Sequence, residues 1–314
     1  MKTRAAICSI VAVLLLGALP ARAGIYYVTV AGLGGEPDYE QRFTAMANDL
    51  DKLLKSSGSE AHVFTLTGAQ ATRGQMTETL GEVASQAKPE DDFVLILIGH
   101  GSFDGVEYKF NLVGPDISGA ELASLCDRIA SRRQLIVNTT SSSGGSIGAL
   151  EKPGRAVIAA TKTGTEKNAT VFARYWIEAL HDPTADLDKN DSISALEAFE
   201  YADRKTAAFY DSQKRLATEH AVFEDTGKGQ AVRAAATDTG EGHFLATFTV
   251  LRIGAAQRAA NDPAKRDLLA KKEELEQKID TLKYQKAAMD REDYKKQLTE
   301  ALLELARVQA ELDK

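Results

Sequence analysis

The chain has 314 residues, 44% of them hydrophobic, with 45 acidic against 38 basic side chains and a net charge of −7. That length suits one large α/β domain plus an appendage, and an acidic chain without basic runs excludes nucleic acid and anionic membrane as partners. Of the two cysteines, Cys8 lies within the first 23 residues, so Cys126 stands alone and no internal disulfide can form.

Residues 1–23 read as a cleaved export signal. Lys2 and Arg4 give a positive start, residues 5–19 are apolar but too short to span a bilayer comfortably, and Ala21-Arg22-Ala23 is a small-x-small cleavage site before Gly24. Cys8 lacks a lipoprotein-type context, and no other apolar run approaches spanning length. The expected mature protein starts at Gly24, is periplasmic or secreted, and makes no membrane contact after signal cleavage. Losing Lys2, Arg4 and Arg22 but no acid moves its charge from −7 to −10.

Residues 25–30 alternate and branch like a first strand. The glycine-rich turn at 32–35 leads into an amphipathic helix carrying Phe43, Met46, Leu50, Leu53 and Leu54. Pro37 stands where a dinucleotide-binding fingerprint needs its third glycine, so the turn is read as a tight strand-to-helix connection. A strand over 62–66 and a helix over 73–86 follow. Residues 93–98 are six apolar residues in a row, β-branched at Val94, Ile96 and Ile98, and too short for a helix. They form a strand buried on both faces that runs straight into His100-Gly101.

Ser118 with Glu121 three residues on is a capping box, opening a helix to about residue 131. Cys126 sits within it, a turn from Leu122 and near Ile129, and reads as a buried apolar position. A second buried strand, 134–137, empties into Asn138-Thr139-Thr140-Ser141-Ser142-Ser143-Gly144-Gly145-Ser146, and 155–161 is a further strand. Alternation of this kind predicts an α/β fold with a mostly parallel sheet, right-handed crossovers and helices on both faces. His100 and Thr140 are then expected at the carboxyl ends of adjacent parallel strands, the edge where ligands bind in such sheets.

Residues 186–197 place oxygen-bearing side chains at positions 1, 3, 5, 9 and 12 of a twelve-residue loop, in the manner of an EF-hand. Asp186, Asp188, Asn190, Ser192, Ser194 and Glu197 are the candidate ligands for a structural Ca2+. Asp191 occupies the position that favours glycine, where positive φ is needed, and Asp tolerates that conformation better than most residues. Helices over 171–179 and from 194 towards 215 flank the loop.

Beyond about residue 264 glycine and proline disappear. Leu268, Leu275, Ile279, Leu282 and Met289 keep heptad-like spacing, as do Leu298, Leu302, Leu305 and Leu312, with a charged break at 289–293 between them. The phase slip predicts a helical hairpin over 257–314 appended to an α/β domain over 24–256. The hairpin either packs on the domain and on itself, or serves self-association or the docking of a partner.

An apolar block ending in His-Gly, followed by an apolar block ending in a nucleophile-sized residue, resembles the legumain and caspase group of cysteine peptidases. The resemblance spans about 25–254 and implies a caspase-like fold. It places His100 as the catalytic histidine, Gly101 as an oxyanion donor, and Thr140, or Ser141 with one residue inserted, at the nucleophile position. Neither is a thiol, and Gly32 stands where the family places an asparagine that orients the histidine. Residues 218–220, 225–229 and 197–202 also resemble stretches of exported bacterial relatives, so His220 either joins the His100 pocket or stabilises a turn.

Two functions follow. One is a non-proteolytic pseudopeptidase that binds or scaffolds a protein or peptide partner. The other is a hydrolase in which His100 activates a hydroxyl of Thr140 or Ser141, a harder task than activating a thiol because the hydroxyl is almost wholly neutral at pH 7.

Overall fold

The structure is a computed structural model that describes residues 23–58 and 60–314; apart from Ala23, the expected export signal lies outside the described residues. β1 (Ile25–Ala31), α1 (Pro37–Lys55), β2 (Ala61–Leu66), α2 (Arg73–Gln86) and β3 (Asp92–Ile98) open the chain. β4 (Gly101–Phe103), β5 (Tyr108–Phe110) and β6 (Ile117–Ser118) form a small antiparallel sheet, followed by α3 (Gly119–Asp127), β7 (Arg133–Asn138), α4 (Ile147–Leu150), β8 (Arg155–Ala159) and α5 (Phe172–His181). The remainder is β9 (Ser192–Ser194), α6 (Ala195–Ser212), β10 (Val222–Glu224), α7 (His243–Thr247), β11 (Thr249–Arg252), α8 (Gly254–Asn261), α9 (Arg266–Gln285) and α10 (Arg291–Leu312).

The main sheet has the order β10-β8-β7-β3-β1-β2, parallel except for the edge strand β10. β3 is central and every one of its residues is buried. Val94, Ile96 and Ile98 pack with Phe43, Ala47, Leu50 and Leu54 of α1 and with α5 and α6. Phe93, Leu95 and Leu97 pack on the other face with Met76, Leu80 and Val83 of α2 and with α3 and α4. Each such side chain contributes about 2 kcal/mol on leaving water, which is why a strand with no polar face holds the centre.

Local chemistry sets the ends. Pro37 lies in the first turn of α1 with Asp38 and Glu40 beside it. The Ser118–Glu121 capping box is formed in both directions. α3 ends at Asp127 rather than near residue 131, and β8 at Ala159 rather than 161. The stretch 101–118, where the sequence pattern predicts no element, carries three short strands.

The C-terminal helices fold back antiparallel, with Lys265 Nζ donating to Leu312 O (2.6 Å) and Lys271 facing Glu304. α9 lies on the α/β body. Arg252 pairs with Glu273 through Nε (2.5 Å) and Nη2 (3.0 Å), and Lys272 Nζ reaches Asn190 O at 2.7 Å. α10 is the outer layer and buries only Ala301 and Val308. Its seam runs through Leu298, Ala301, Leu305, Val308 and Leu312, so Leu302, expected on the seam, is exposed. The 256/257 boundary falls inside α8.

Candidate functional site

β3 and β7 are neighbours in parallel register, Leu97 opposite Asn138, so His100-Gly101 and Thr140-Ser141 emerge together at the carboxyl edge. Their side chains diverge. His100 continues the face of Val94, Ile96 and Ile98 and meets α1, its ring edge-on to Tyr39 (4.7 Å between centroids) and Phe43 (5.2 Å). Thr140 continues the opposite face. Its hydroxyl is fully buried, 2.7 Å from the Tyr108 hydroxyl and donating to Asn138 Oδ1 (2.8 Å) or Ser141 O (3.0 Å). No hydrogen bond joins the His100 ring to Thr140, Ser141, Ser142 or Ser143 among the described residues.

Ser141 closes the gap between the two strand ends. Gly101 N–H donates to Ser141 Oγ (3.1 Å), and Ser141 Oγ–H donates to Gly101 O (3.0 Å). The N–H that the family resemblance assigns to an oxyanion is therefore occupied by the side chain next to the assigned nucleophile. A Cβ on Gly101 would lie 2.5 Å from Ser141 O and 2.7 Å from Thr140 Oγ1, so glycine is needed for this close approach.

Two of the serines beyond, Ser143 and Ser146, are committed as well. Ser143 Oγ accepts from Thr161 N (3.0 Å), and Ser146 Oγ, which donates to Ser143 O, accepts from Asn138 Nδ2 (3.0 Å). Ser142 sits in the left-handed region (φ 58°) with a buried hydroxyl that has no protein partner among the described residues.

Burial lowers the His100 pKa from its ordinary value, a Gly34 backbone hydrogen bond pulling the other way. Burial thus disfavours the charged imidazolium, whose ring stands against Tyr39 and Phe43. Gly32 offers no orienting group and could not carry one, because a Cβ there would press into the Asn111 carbonyl and the Phe110 ring. His220 pairs instead with Glu166 (Nδ1 to Oε1, 2.5 Å), whose backbone carbonyl accepts from Ser142 N (2.8 Å). The neighbouring Glu219 caps α5 by accepting from Val171 N (2.8 Å) and Phe172 N (3.2 Å). Cys126 is buried in the α3 core, and desolvation pushes its thiol up to about 11.

Tyr108 and Asn138 are central to this network and were missed in the sequence. The alternation Tyr108 buried, Lys109 exposed, Phe110 buried was the available signal. Glu166 has none, being joined to His220 only by the fold.

The second constellation lies between α5 and α6. Asp186, Asp188 and Glu197 each bring a carboxylate oxygen to within 4.8 Å of the others. Asp191 adopts φ 63°, as the sixth position of such a loop requires. Asp186 Oδ1 and Oδ2 accept the amides of Asn190 and Asp191 (both 3.2 Å). Asn190 Oδ1 accepts Ser192 N (2.8 Å), while Ser194 Oγ donates to Glu197 Oε2 (2.8 Å). Asp188, Asn190, Ser192 and Ser194 line a cavity of about 20 Å³ beneath Glu276 and Asp280 of α9. Although Asp188 is exposed as a residue, its carboxyl end is tucked towards α9. Desolvation, followed by the nearby Glu197 and Asp186, pushes it up to about 6.

No family model matches the chain, and no curated protein is similar to it. Among solved structures, a structural-genomics protein of Geobacter sulfurreducens is similar, with a TM-score of 0.45 and 14% identity over 65% of this chain and 94% of that one. The Drosophila initiator caspase Dronc has a TM-score of 0.44 and 12% identity over 67% of this chain and 82% of that one.

Proposed function

We propose that this chain is an exported, caspase-like domain protein that has given up peptide hydrolysis and acts by binding a protein or peptide partner. The observation that carries the reading is the closed pair of hydrogen bonds between Ser141 and Gly101, which occupies the oxyanion donor and the nearest hydroxyl at once. Thr140 is locked into the Tyr108–Asn138 network on the face opposite His100, so the base and the hydroxyl do not meet. The competing hydrolase would have to break both arrangements before its first proton transfer.

The reading includes a structural Ca2+ in the 186–197 loop, held by Asp186, Asp188 and Glu197, with Asn190, Ser192 and Ser194 around it. The convergence of three carboxylates and the positive φ of Asp191 support it. The outer helix α10, with Leu302 and Leu303 exposed, is the surface offered for self-association or partner docking.

The test is incubation of the exported protein with unfolded proteins and a peptide library, read by mass spectrometry. Cleavage no greater than that of His100→Ala supports the binding role. Turnover that disappears in His100→Ala establishes the hydrolase instead.

A further inference from the structure

Gly24 is the first residue after the small-x-small site, and it is also where the β-sheet begins. Its carbonyl accepts from Asp92 N (2.9 Å), continuing the β1–β3 pairing, and Ile25 N donates to Glu60 O (3.0 Å). Its own N–H donates to Asp91 Oδ1 at 2.6 Å. Asp91 is 4% exposed, and its other oxygen accepts from Lys88 N (2.8 Å). Among the described residues Asp91 enters no ion pair with a lysine, arginine or histidine. A buried carboxylate held by two amide donors is short of a positive partner. Ala23, one residue earlier, is exposed and shares with Gly24 the rim of a 300 Å³ cavity at the amino ends of β1 and β3, the edge opposite His100.

We infer that Asp91 is a receptor for a processed amino terminus: cleavage after Ala23 turns the Gly24 nitrogen into an ammonium that forms an ion pair with Asp91 and pins β1 to β3. Hydrolysis of the Ala23–Gly24 amide adds one water, leaving a carboxylate on Ala23 and an ammonium on Gly24. The existing 2.6 Å hydrogen bond becomes charge-assisted without movement of the nitrogen. Gly24 lies close against both partners: a Cβ placed there would stand 3.4 Å from Asp91 Oδ1 and from Glu60 O. The inference rests on the export reading and adds to it a consequence of cleavage for the folded state.

Two measurements separate the parts. Intact mass of the full chain recovered from the periplasm or medium of a secreting bacterial host should give a first residue of Gly24. An uncleaved chain retained in the cytoplasm overturns export, and a different first residue overturns the cleavage site. For the ion pair, fusions are cleaved to release either Gly24 or Ala23 as the first residue of the otherwise complete protein, each with Asp91 or Asp91→Asn.

An ammonium whose pKa is raised by a carboxylate stabilises fully below its unfolded value of about 7.7–8.0 and loses that effect as pH rises through the folded value. The Gly24-first protein should therefore melt about 2 °C or more above the Ala23-first protein at pH 6.5. The gap should close by about pH 10 and be absent in Asp91→Asn. Equal melting temperatures at pH 6.5, or a gap that survives either pH 10 or Asp91→Asn, overturn the ion pair even when export and cleavage stand.

Discussion

The carboxyl edge of the main sheet and the 186–197 loop are both dense in polar side chains, yet they settle their hydrogen bonds in opposite ways. At the sheet edge donors and acceptors alternate around neutral groups: Gly101 N–H meets Ser141 Oγ, Ser141 O–H meets Gly101 O, and Thr140 is shared between Tyr108 and Asn138, and of the hydroxyls there Ser142 Oγ alone lacks a protein partner among the described residues. In the loop three carboxylates face one point, and although each of their oxygens accepts at least one hydrogen bond, their like charges stand together. Hydroxyls that bond to one another and to the backbone leave Gly101, Thr140 and Ser141 no free group for a substrate, whereas converging acidic acceptors favour a cation. Residue types alone, hydroxyls beside a histidine or acids in a turn, do not distinguish these cases. The charge that converges on one point does.

The contrast is broken most severely at Gly101. Gly101→Ala drives a methyl into the Ser141 backbone and the Tyr108 ring and should cost about 3 kcal/mol or more, read as a lowered denaturation midpoint or loss of soluble protein. Ordinary stability in that variant would mean the strand ends are not sealed together.

Calcium comes next. Near a hundredfold excess over its dissociation constant it should stabilise the fold by about 2.7 kcal/mol, a rise in melting temperature that chelator removes and Glu197→Gln abolishes. A melting temperature indifferent to calcium and to chelator would place the loop in the self-satisfied class.

Thr140→Val keeps the shape but leaves the Tyr108 hydroxyl and Asn138 with one partner fewer. It should cost about 1–2 kcal/mol in chemical denaturation. No change would show that Thr140 is not bound into the network.

The smallest effect concerns His100. Burial holds its pKa below the ordinary 6.5, so the folded chain binds fewer protons than the unfolded chain once the pH falls below that value. This part of the stability is complete above pH 6.5 and declines below it. His100→Gln should flatten the loss of melting temperature between pH 7 and 5.5, and an unchanged slope would assign the imidazole to water.

Much of the fold was legible because β3 and β7 have no polar face, which only a central strand tolerates, and because Ser118–Glu121 writes a helix start in plain chemistry. The adjacency of His100 and Thr140 followed from that. Their divergence did not. It depends on the parity with which each strand reaches the edge, His100 following Ile98 to the α1 side while Thr140 follows Ile136 and Asn138 to the other. The short strand at Tyr108 showed only as one apolar–polar–apolar alternation, and the partnership of Glu166 with His220 joins residues 54 apart in sequence.

In the loop, spacing conveyed the convergence of Asp186, Asp188 and Glu197 and the positive φ of Asp191, because an EF-hand-type pattern is local in sequence. The cover supplied by Glu276 and Asp280 comes from a helix about 80 residues on and was beyond that pattern. On α10 the heptad count chose Leu302 where the packed seam uses Ala301, since a small residue suits close contact with α9.

The central claim, that the hydroxyls at the sheet edge are closed to chemistry, is tested most directly by labelling the native protein with a hydroxyl-reactive fluorophosphonate and mapping the modified peptides by mass spectrometry. The account predicts no label on Thr140, Ser141, Ser142 or Ser143, in the native chain and in His100→Ala alike. Stoichiometric label on any of the four in the native chain, lost in His100→Ala, would contradict it and make the protein a hydrolase.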